Sequence, residues 1–299
     1  MHQVLDRPSV GARLGGYLAL TKPQIIELLL VTTLPTMVIA ERGLPSVALM
    51  FWTLLGGTFA AGGANAINMY VDRDIDAVMK RTQKRPLVTG TIAPAAALRF
   101  AIGLEVLSFV VLWAAVNLLS AVLAVSATLF YVFVYTLWLK RTSTQNIVIG
   151  GAAGAVPVLV GWAAVRDSLG WPPIVLFAII FFWTPPHFWA LAVKYRDDYS
   201  AVNVPMLPSV ATLHVTAQNI LGYTLFLWGL TLLFGPIAGL GAIYLVAATA
   251  LGGMFTWYAL KLLRSESAGD AMRVFVWSIT YLTLLFGAMA LDQLVRTGW

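Results

Sequence analysis

The sequence predicts an all-α polytopic membrane protein, a bundle of nine transmembrane helices. Hydrophobic residues make up 60% of the 299 positions and charged residues only 11%, whereas a soluble domain has about 25% charged residues. The mean hydropathy of +0.83 arises from stretches close to the ~20 apolar residues that a helix needs to cross a bilayer. The chain has no cysteine, which excludes a disulfide framework and a thiolate metal site.

The apolar stretches follow one another with short polar connections, which predicts one membrane domain over residues 1–299 with a polar cytoplasmic N-terminal tail at 1–20. The predicted spans are residues 22–40, 46–69, 95–115, 118–139, 145–165, 173–194, 214–234, 237–260 and 273–294. Proline and glycine inside several spans are tolerated, because neighbouring helices can satisfy the backbone groups that these residues release.

The distribution of lysine and arginine predicts the orientation of the bundle. With a cytoplasmic N-terminus, 16 of the 19 basic residues fall on the cytoplasmic side and three on the outer side. Cytoplasmic loops carry such an excess, so the net charge of +6 reflects topology and the lipid bilayer, and we expect no nucleic-acid partner. We therefore expect a protein of the cell membrane with an outer C-terminus and the polar clusters facing the cytoplasm.

The stretch NAINMYVDRDIDAVMKRTQKRP, which follows the second span, concentrates polar residues at a membrane boundary. Asn68, Asp72 and Asp76 are spaced i, i+4, i+8, which places them on one face of a helix. We expect Asn68, Asp72 and Asp76 to form a Mg²⁺ site, because carboxylate oxygens suit this hard cation, which shares its coordination shell with phosphate oxygens. The spacing also fits a solvated loop, but ionisable groups at a membrane boundary are candidates for function.

Basic residues accompany these acids at three predicted cytoplasmic boundaries, and such residues neutralise the charge of a diphosphate. The candidate diphosphate-binding residues are Lys22, Arg81, Arg85, Lys140, Arg141 and Lys194. Taken alone, the basic residues at each boundary are also explained as residues that keep the loop on the cytoplasmic side.

A second acidic stretch, TPPHFWALAVKYRDDYSAVNVPMLP, follows the sixth span. His187, Lys194 and Asp198 lie on one face if the helix is continuous. Asp197 and Asp198 are candidates for a second Mg²⁺ site, and the alternative is a hydrophilic loop that caps a helix end. We expect Asp72, Asp76, Asp198 and His187 to be the catalytic residues.

Three residues are candidates for the side of the site that faces the acceptor or a cationic intermediate. Tyr131 and Tyr135 are one helical turn apart, and an electron-rich aromatic face can stabilise a cation, although ordinary packing explains them equally well. His187 lies inside an apolar span, where it is either a hydrogen-bonded core residue or a residue that faces the acceptor.

The motif NxxxDxxxD at Asn68, Asp72 and Asp76 resembles the first motif of the UbiA-type intramembrane prenyltransferases. Within that family, the resemblance is to the haem-farnesylating branch and covers about residues 20–210, whereas the last three spans match only in hydropathy. The stretches that carry it are TKPQIIELLLVTTLP, NAINMYVDRDIDAVMKRTQKRPLVTG, YTLWLKRTSTQNIVIGGAAGAVPVLVGW and TPPHFWALAVKYRDDYSAVNVPMLP.

This resemblance implies nine helices around a central cavity, Mg²⁺ as cofactor, and farnesyl diphosphate and haem B as substrates. It implies transfer of the farnesyl group to a haem vinyl group with addition of water, which gives haem O. On the acceptor side, His187 is then expected to act either as an axial ligand to haem iron or as a base for the added water. The second site departs from the common DxxxD pattern, because RDDYSAVN has adjacent aspartates, and Asp198 is favoured there by its helical phase.

Two alternatives stay open at the level of sequence. A UbiA-type prenyltransferase that acts on a quinone precursor or another aromatic acceptor would share the diphosphate site and differ only in the acceptor pocket. A secondary transporter of an anionic solute would also have broken helices and intramembrane polar residues, although it usually binds near the bilayer midplane.

Overall fold

The computed structural model describes residues 9–297, apart from the side chains of residues 25 and 28–30. Within this part of the chain every regular element is helical. In chain order the helices are α1 (Val10–Thr21), α2 (Pro23–Glu41), α3 (Val47–Val71), α4 (Arg73–Val78), α5 (Pro94–Ala115), α6 (Leu118–Thr142), α7 (Asn146–Arg166), α8 (Trp171–Lys194), α9 (Arg196–Ala201), α10 (Leu207–Val210), α11 (Leu213–Ala238), α12 (Ala242–Ser265) and α13 (Ala268–Thr297).

Eight helices of the described chain are long and apolar enough to cross a membrane, namely α3, α5, α6, α7, α8, α11, α12 and α13. They confirm the predicted all-α membrane bundle. The remaining predicted span, residues 22–40 and the first in the chain, corresponds to α2, of which Val31–Glu41 is a shorter apolar helix. The predicted polar tail contains helix α1, and residues 1–8 lie outside the described residues.

The break between α1 and α2 follows from the residues at the junction. Lys22 adopts a left-handed conformation with φ 52° and ends α1, and its backbone N–H donates to the carbonyl of Ala19. Pro23 then begins α2, where its missing N–H costs nothing because the first N–H groups of a helix have no partner within it. The junction thereby holds the Lys22 side chain at one end of the bundle.

Two of the three packed apolar cores in the described chain fix the helices that precede the polar segments. The larger core lies among α7, α8, α11, α12 and α13 and includes the buried rings of Trp183, Trp189 and Phe286. A smaller core joins α1, α3 and α5 through Leu20 and Ala66. Helix α8 packs in the larger core and α3 in the smaller one. The polar segments that follow these two helices lie at the same end of the bundle, where they contact each other.

Close helix contact in the larger core depends on glycine. A Cβ atom at Gly252 of α12 would overlap the indole ring of Trp228 on α11. At the neighbouring Gly253, a Cβ atom would meet the same indole at 3.7 Å, which is ordinary van der Waals contact. Small residues at such positions allow membrane helices to approach each other.

We predict that Gly252→Ala destabilises the protein by about 1–3 kcal/mol, because overpacking forces the Trp228 ring to move. The matched control is Gly253→Ala, which changes helix propensity by the same amount but creates no overlap. Thermal unfolding of both variants in detergent measures the difference. Equal melting temperatures for the two variants would contradict this account of the α11–α12 contact.

Candidate functional site

The end of α3 and the short helix α4 carry the first acidic cluster. The N–H of Asp72 donates to the carbonyl of Asn68 and the N–H of Asp76 to the carbonyl of Asp72, both at 2.9 Å, so helical spacing continues across the break. The side chains of Asp72 and Asp76 are 0% and 3% exposed, whereas that of Asp74 is 59% exposed. Two buried carboxylates require partners, because an unpaired buried charge is very costly.

Basic side chains from outside α3 and α4 compensate the two buried acids. Lys140, near the end of α6, donates to Oδ2 of Asp72. Arg85, in the loop that follows α4, donates to Oδ2 of Asp76 at 2.5 Å. Both cations are themselves largely shielded, with 13% and 19% of their side chains exposed. The carboxylates therefore fix the relative positions of α3, α6 and the loop.

Arg141 adds a third contact from α6. It donates two hydrogen bonds of 2.7 Å to Asp74 in a bidentate arrangement, and a guanidinium nitrogen lies 3.6 Å from Oδ1 of Asp72. The hydrogen bonds from Arg141 lower the pKa of the Asp74 carboxyl to about 2. Asp74 therefore stays ionised at neutral pH, at the exposed edge of the cluster.

Asn68 joins the cations to the acids. Its Oδ1 accepts a hydrogen bond of 2.9 Å from Nζ of Lys22. Its Nδ2 donates to Oδ2 of Asp72 at 2.7 Å and to Oγ1 of Thr136 at 3.3 Å. Thr136 is fully buried and was not among the residues that the sequence indicated. No sequence signal marks it, because its position depends on an unusual segment of α6.

That segment is a π-helix at Phe130–Leu139. An α-helix turns about 100° per residue, so Tyr131 and Lys140, nine positions apart, would lie on opposite faces. The wider turn of a π-helix, with its i→i+5 hydrogen bonds, brings them toward one face. In the structure Lys140 contacts Asp72, and the Thr136 hydroxyl that Asn68 contacts donates to the carbonyl of Tyr131 at 2.8 Å.

The two predicted tyrosines form a pair beside the acidic cluster. The rings of Tyr131 and Tyr135 are stacked, with centroids 5.3 Å apart and an interplanar angle of 23°. Gly150 of α7 leaves room for the Tyr135 ring, since a Cβ atom there would overlap it. This pair can present aromatic π-density to a cation that forms next to the carboxylates.

The second acidic cluster separates its two aspartates. Oδ2 of Asp198 accepts a hydrogen bond of 3.1 Å from the backbone N–H of Arg81, so α9 contacts the loop that follows α4. The side chain of Asp197 is 98% exposed and lies 3.5 Å from that of Arg196. Asp198 is therefore the aspartate of the pair that is joined to the first cluster.

Helix α8 ends at Lys194 and α9 begins at Arg196, so the prediction that His187 and Asp198 share one face of a continuous helix is wrong. Lys194 is exposed, and its Nζ lies 5.6 Å from the ring centroid of Tyr195. Among the described residues it forms no ion pair with a carboxylate.

His187 lies in α8 against α13. Its ring stacks on Trp183 with centroids 4.3 Å apart, and Nδ1 lies 2.7 Å from Oγ of Ser278. The Ser278 hydroxyl donates its one hydrogen to the carbonyl of Phe275 at 2.6 Å. Nδ1 must therefore donate to Ser278, which leaves the lone pair of the neutral imidazole on Nε2.

Within residues 9–297, no group of three or more His, Cys, Asp or Glu side chains is close enough together to hold a metal ion. Asp72 and Asp76 are instead each paired with a different cation. Their chemistry nevertheless fits a hard divalent cation, because carboxylate oxygens are its preferred ligands. One acceptor is available within the cluster, since Oδ1 of Asp72 is buried and accepts no hydrogen bond.

The sequence pattern of the UbiA prenyltransferase family matches residues 29–285. The chain belongs to this family. It is therefore a multi-pass membrane prenyltransferase, and the alternative of a solute transporter is not supported.

Relatives of known name extend the comparison over nearly the whole chain. The protoheme IX farnesyltransferase of Parafrankia sp. (strain EAN1pec) is 54% identical over 286 residues, which cover 95% of this chain and 91% of the relative. The protoheme IX farnesyltransferase of Streptomyces avermitilis is 51% identical over 292 residues, which cover 96% of each chain.

Solved structures of the family have the same fold. A digeranylgeranylglyceryl phosphate synthase superposes with a TM-score of 0.77 at 18% identity, covering 95% of this chain and 99% of that one. A UbiA homolog from Archaeoglobus fulgidus bound to GPP and Mg²⁺ superposes with a TM-score of 0.62 at 18% identity, covering 92% and 99%.

We predict that Lys140→Met lowers the free energy of unfolding by about 3 kcal/mol or more, because it leaves the buried Asp72 carboxylate without its hydrogen-bonded cation. The double variant Asp72→Asn, Lys140→Met removes both charges and should recover most of the loss. Unfolding of the purified variants in detergent measures both effects, with Lys194→Met as the control for an exposed lysine. Additive losses in the double variant would contradict the pairing.

Proposed function

We propose that this chain transfers the farnesyl group of farnesyl diphosphate to a vinyl group of haem B, with addition of water, to give haem O. The observation that carries the proposal is the 54% and 51% identity, over at least 91% of each chain, to relatives named protoheme IX farnesyltransferase. The buried acidic and basic cluster at one end of the bundle supplies the chemistry that a diphosphate substrate requires.

In this proposal the divalent metal ion, Mg²⁺, is held by Asp72, Asp76 and Asp198, whose carboxylates are either buried or joined to the first cluster. When bound, Mg²⁺ neutralises charge on the diphosphate leaving group. Asn68 orients Asp72, because its own Oδ1 is engaged by Lys22. The exposed Asp197 contributes least.

The basic residues of the cluster bind the diphosphate. We assign this role to Lys22, Arg81, Arg85, Lys140 and Arg141, and a peripheral role to the exposed Lys194. Their hydrogen bonds stabilise the charge that develops when the C–O bond of farnesyl diphosphate breaks and its electron pair passes to the leaving oxygen. The same contacts position the allylic carbon for attack.

The allylic cation then reacts with the acceptor. In this proposal the stacked rings of Tyr131 and Tyr135 stabilise the allylic cation with their π-density. The electron pair of a haem vinyl group forms the new carbon–carbon bond and leaves a second cation on the porphyrin side chain. Water adds there and loses a proton, so the products are haem O and diphosphate.

We assign His187 to the acceptor side. Nδ1 is committed to Ser278, so the lone pair on Nε2 is available either to haem iron or to a proton from the attacking water. We further propose that the N-terminus and the diphosphate end face the cytoplasm, in the cell membrane, because 16 of the 19 basic residues then lie on the cytoplasmic side.

Incubation of the purified protein with labelled farnesyl diphosphate, Mg²⁺ and either haem B or a hydroxybenzoate tests the reaction directly. We expect a farnesylated, hydrated haem and no prenylated hydroxybenzoate. Label on the hydroxybenzoate alone would instead favour an aromatic acceptor for the same diphosphate site.

We predict that Asp72→Ala and Asp76→Ala each lower the rate of transfer about a thousandfold or more, because each removes a metal ligand and the transition-state stabilisation that it supports. Asp198→Ala should also lower the rate strongly. Asp197→Ala is the matched control and should stay close to wild type. Activity of the Asp72 or Asp76 variant within about tenfold of wild type would contradict the assignment.

For His187→Ala we expect loss of haem binding or of turnover, with unchanged binding of farnesyl diphosphate. The Soret absorption of added haem and a separate diphosphate-binding assay distinguish these effects. Ser278→Ala is the companion variant, since it frees Nδ1 but keeps the imidazole. An unchanged haem spectrum together with unchanged turnover in His187→Ala would assign His187 to helix packing alone.

A further inference from the structure

A cavity of about 410 Å³ lies at the end of the bundle opposite to the acidic cluster. It is formed where α2, α7 and α11 end and α8 begins. The lining residues that matter here are Ile39, Arg42, Trp162, Arg166, Pro172 and Ile237. The proposed reaction does not use this cavity.

Two arginines without an acidic partner line the cavity. Within residues 9–297, the side chains of Arg42 and Arg166 form no hydrogen bond or ion pair. Glu41 and Asp167 adjoin them in the chain but do not line the cavity. The third cation of this end, Arg296, is engaged by comparison, since it contacts the carbonyl of Gly239 and lies 4.0 Å from Asp292.

Within residues 9–297, three basic residues lie at this end of the molecule, namely Arg42, Arg166 and Arg296. Arg42 directly follows α2 and Arg166 is the last residue of α7, and these two exposed residues line the same cavity. Helix termini alone do not balance their charge. The C-terminal ends of α2, α7 and α11 each contribute about −0.5 charge and the N-terminus of α8 about +0.5, so two guanidinium groups leave the cavity positive.

The remaining walls of the cavity are apolar. Ile39 is 3% exposed, and Trp162, Pro172 and Ile237 surround the same space. A small hydrophilic anion would satisfy the arginines but not these walls. An amphiphile with a phosphate headgroup satisfies both, because guanidinium groups bind phosphate in a bidentate manner and the apolar part packs on the walls.

We propose that Arg42 and Arg166 bind the phosphate headgroup of an anionic membrane lipid in this cavity. The surrounding bilayer supplies the ligand. The site lies at the end of the bundle opposite to the acidic cluster. A lipid held there would contact the ends of α2, α7, α8 and α11, which line the cavity.

Native mass spectrometry of the full-length protein, released from nanodiscs of phosphatidylcholine with phosphatidylglycerol, tests the proposal. We expect wild type to retain phosphatidylglycerol in preference to phosphatidylcholine. The double variant Arg42→Gln, Arg166→Gln should retain about tenfold less, because it removes both charge-assisted contacts. Arg296→Gln is the matched control and should retain it like wild type.

The conservative pair Arg42→Lys, Arg166→Lys keeps both charges and should restore much of the retention, which separates headgroup binding from a folding defect. Melting temperatures in pure phosphatidylcholine show whether each variant is folded. Equal retention by wild type and the double Gln variant would overturn the proposal. Displacement of the lipid by millimolar inorganic phosphate would overturn the lipid assignment in favour of a free-phosphate site.

Discussion

The need to keep two carboxylates charged inside a membrane bundle determines how one end of this protein is built. Asp72 and Asp76 are almost completely buried, and each is compensated by a cation from another part of the chain. The ion pairs therefore act as geometric constraints on α6 and on the loop after α4. Their net contribution to stability is small, because desolvation of the charges offsets much of the attraction, so their value lies in the arrangement that they enforce.

Part of this arrangement follows from the sequence alone. The spacing of Asp72, Asp74 and Asp76 places the outer two on one face, and the structure buries those two and exposes Asp74. Apolar stretches of bilayer length likewise give the helices and their approximate ends. The spacing of the aspartates and the length of the apolar stretches are both local patterns, and local patterns can be identified from a single sequence.

The parts that the sequence could not supply depend on departures from helical periodicity. A π segment moves Lys140 and Thr136 toward the acidic cluster, whereas the α-helical period predicts a different face for Lys140. A break at Tyr195 likewise removes the phase relation that was expected between His187 and Asp198. Tertiary packing determines where a π segment forms and where a helix is interrupted, and no residue type in the sequence predicts either feature.

The pairing of every buried acid with a cation also limits how a diphosphate can bind. Lys140 and Arg85 already donate to carboxylates, so neither can donate fully to phosphate while that contact persists. A diphosphate that arrived alone would bring further negative charge next to Asp72 and Asp76, and like charges at short range in a low dielectric repel strongly. The cluster therefore favours a diphosphate that is accompanied by divalent positive charge. Lysine and arginine side chains that leave their carboxylates can then donate to phosphate oxygens without leaving a buried acid unpaired.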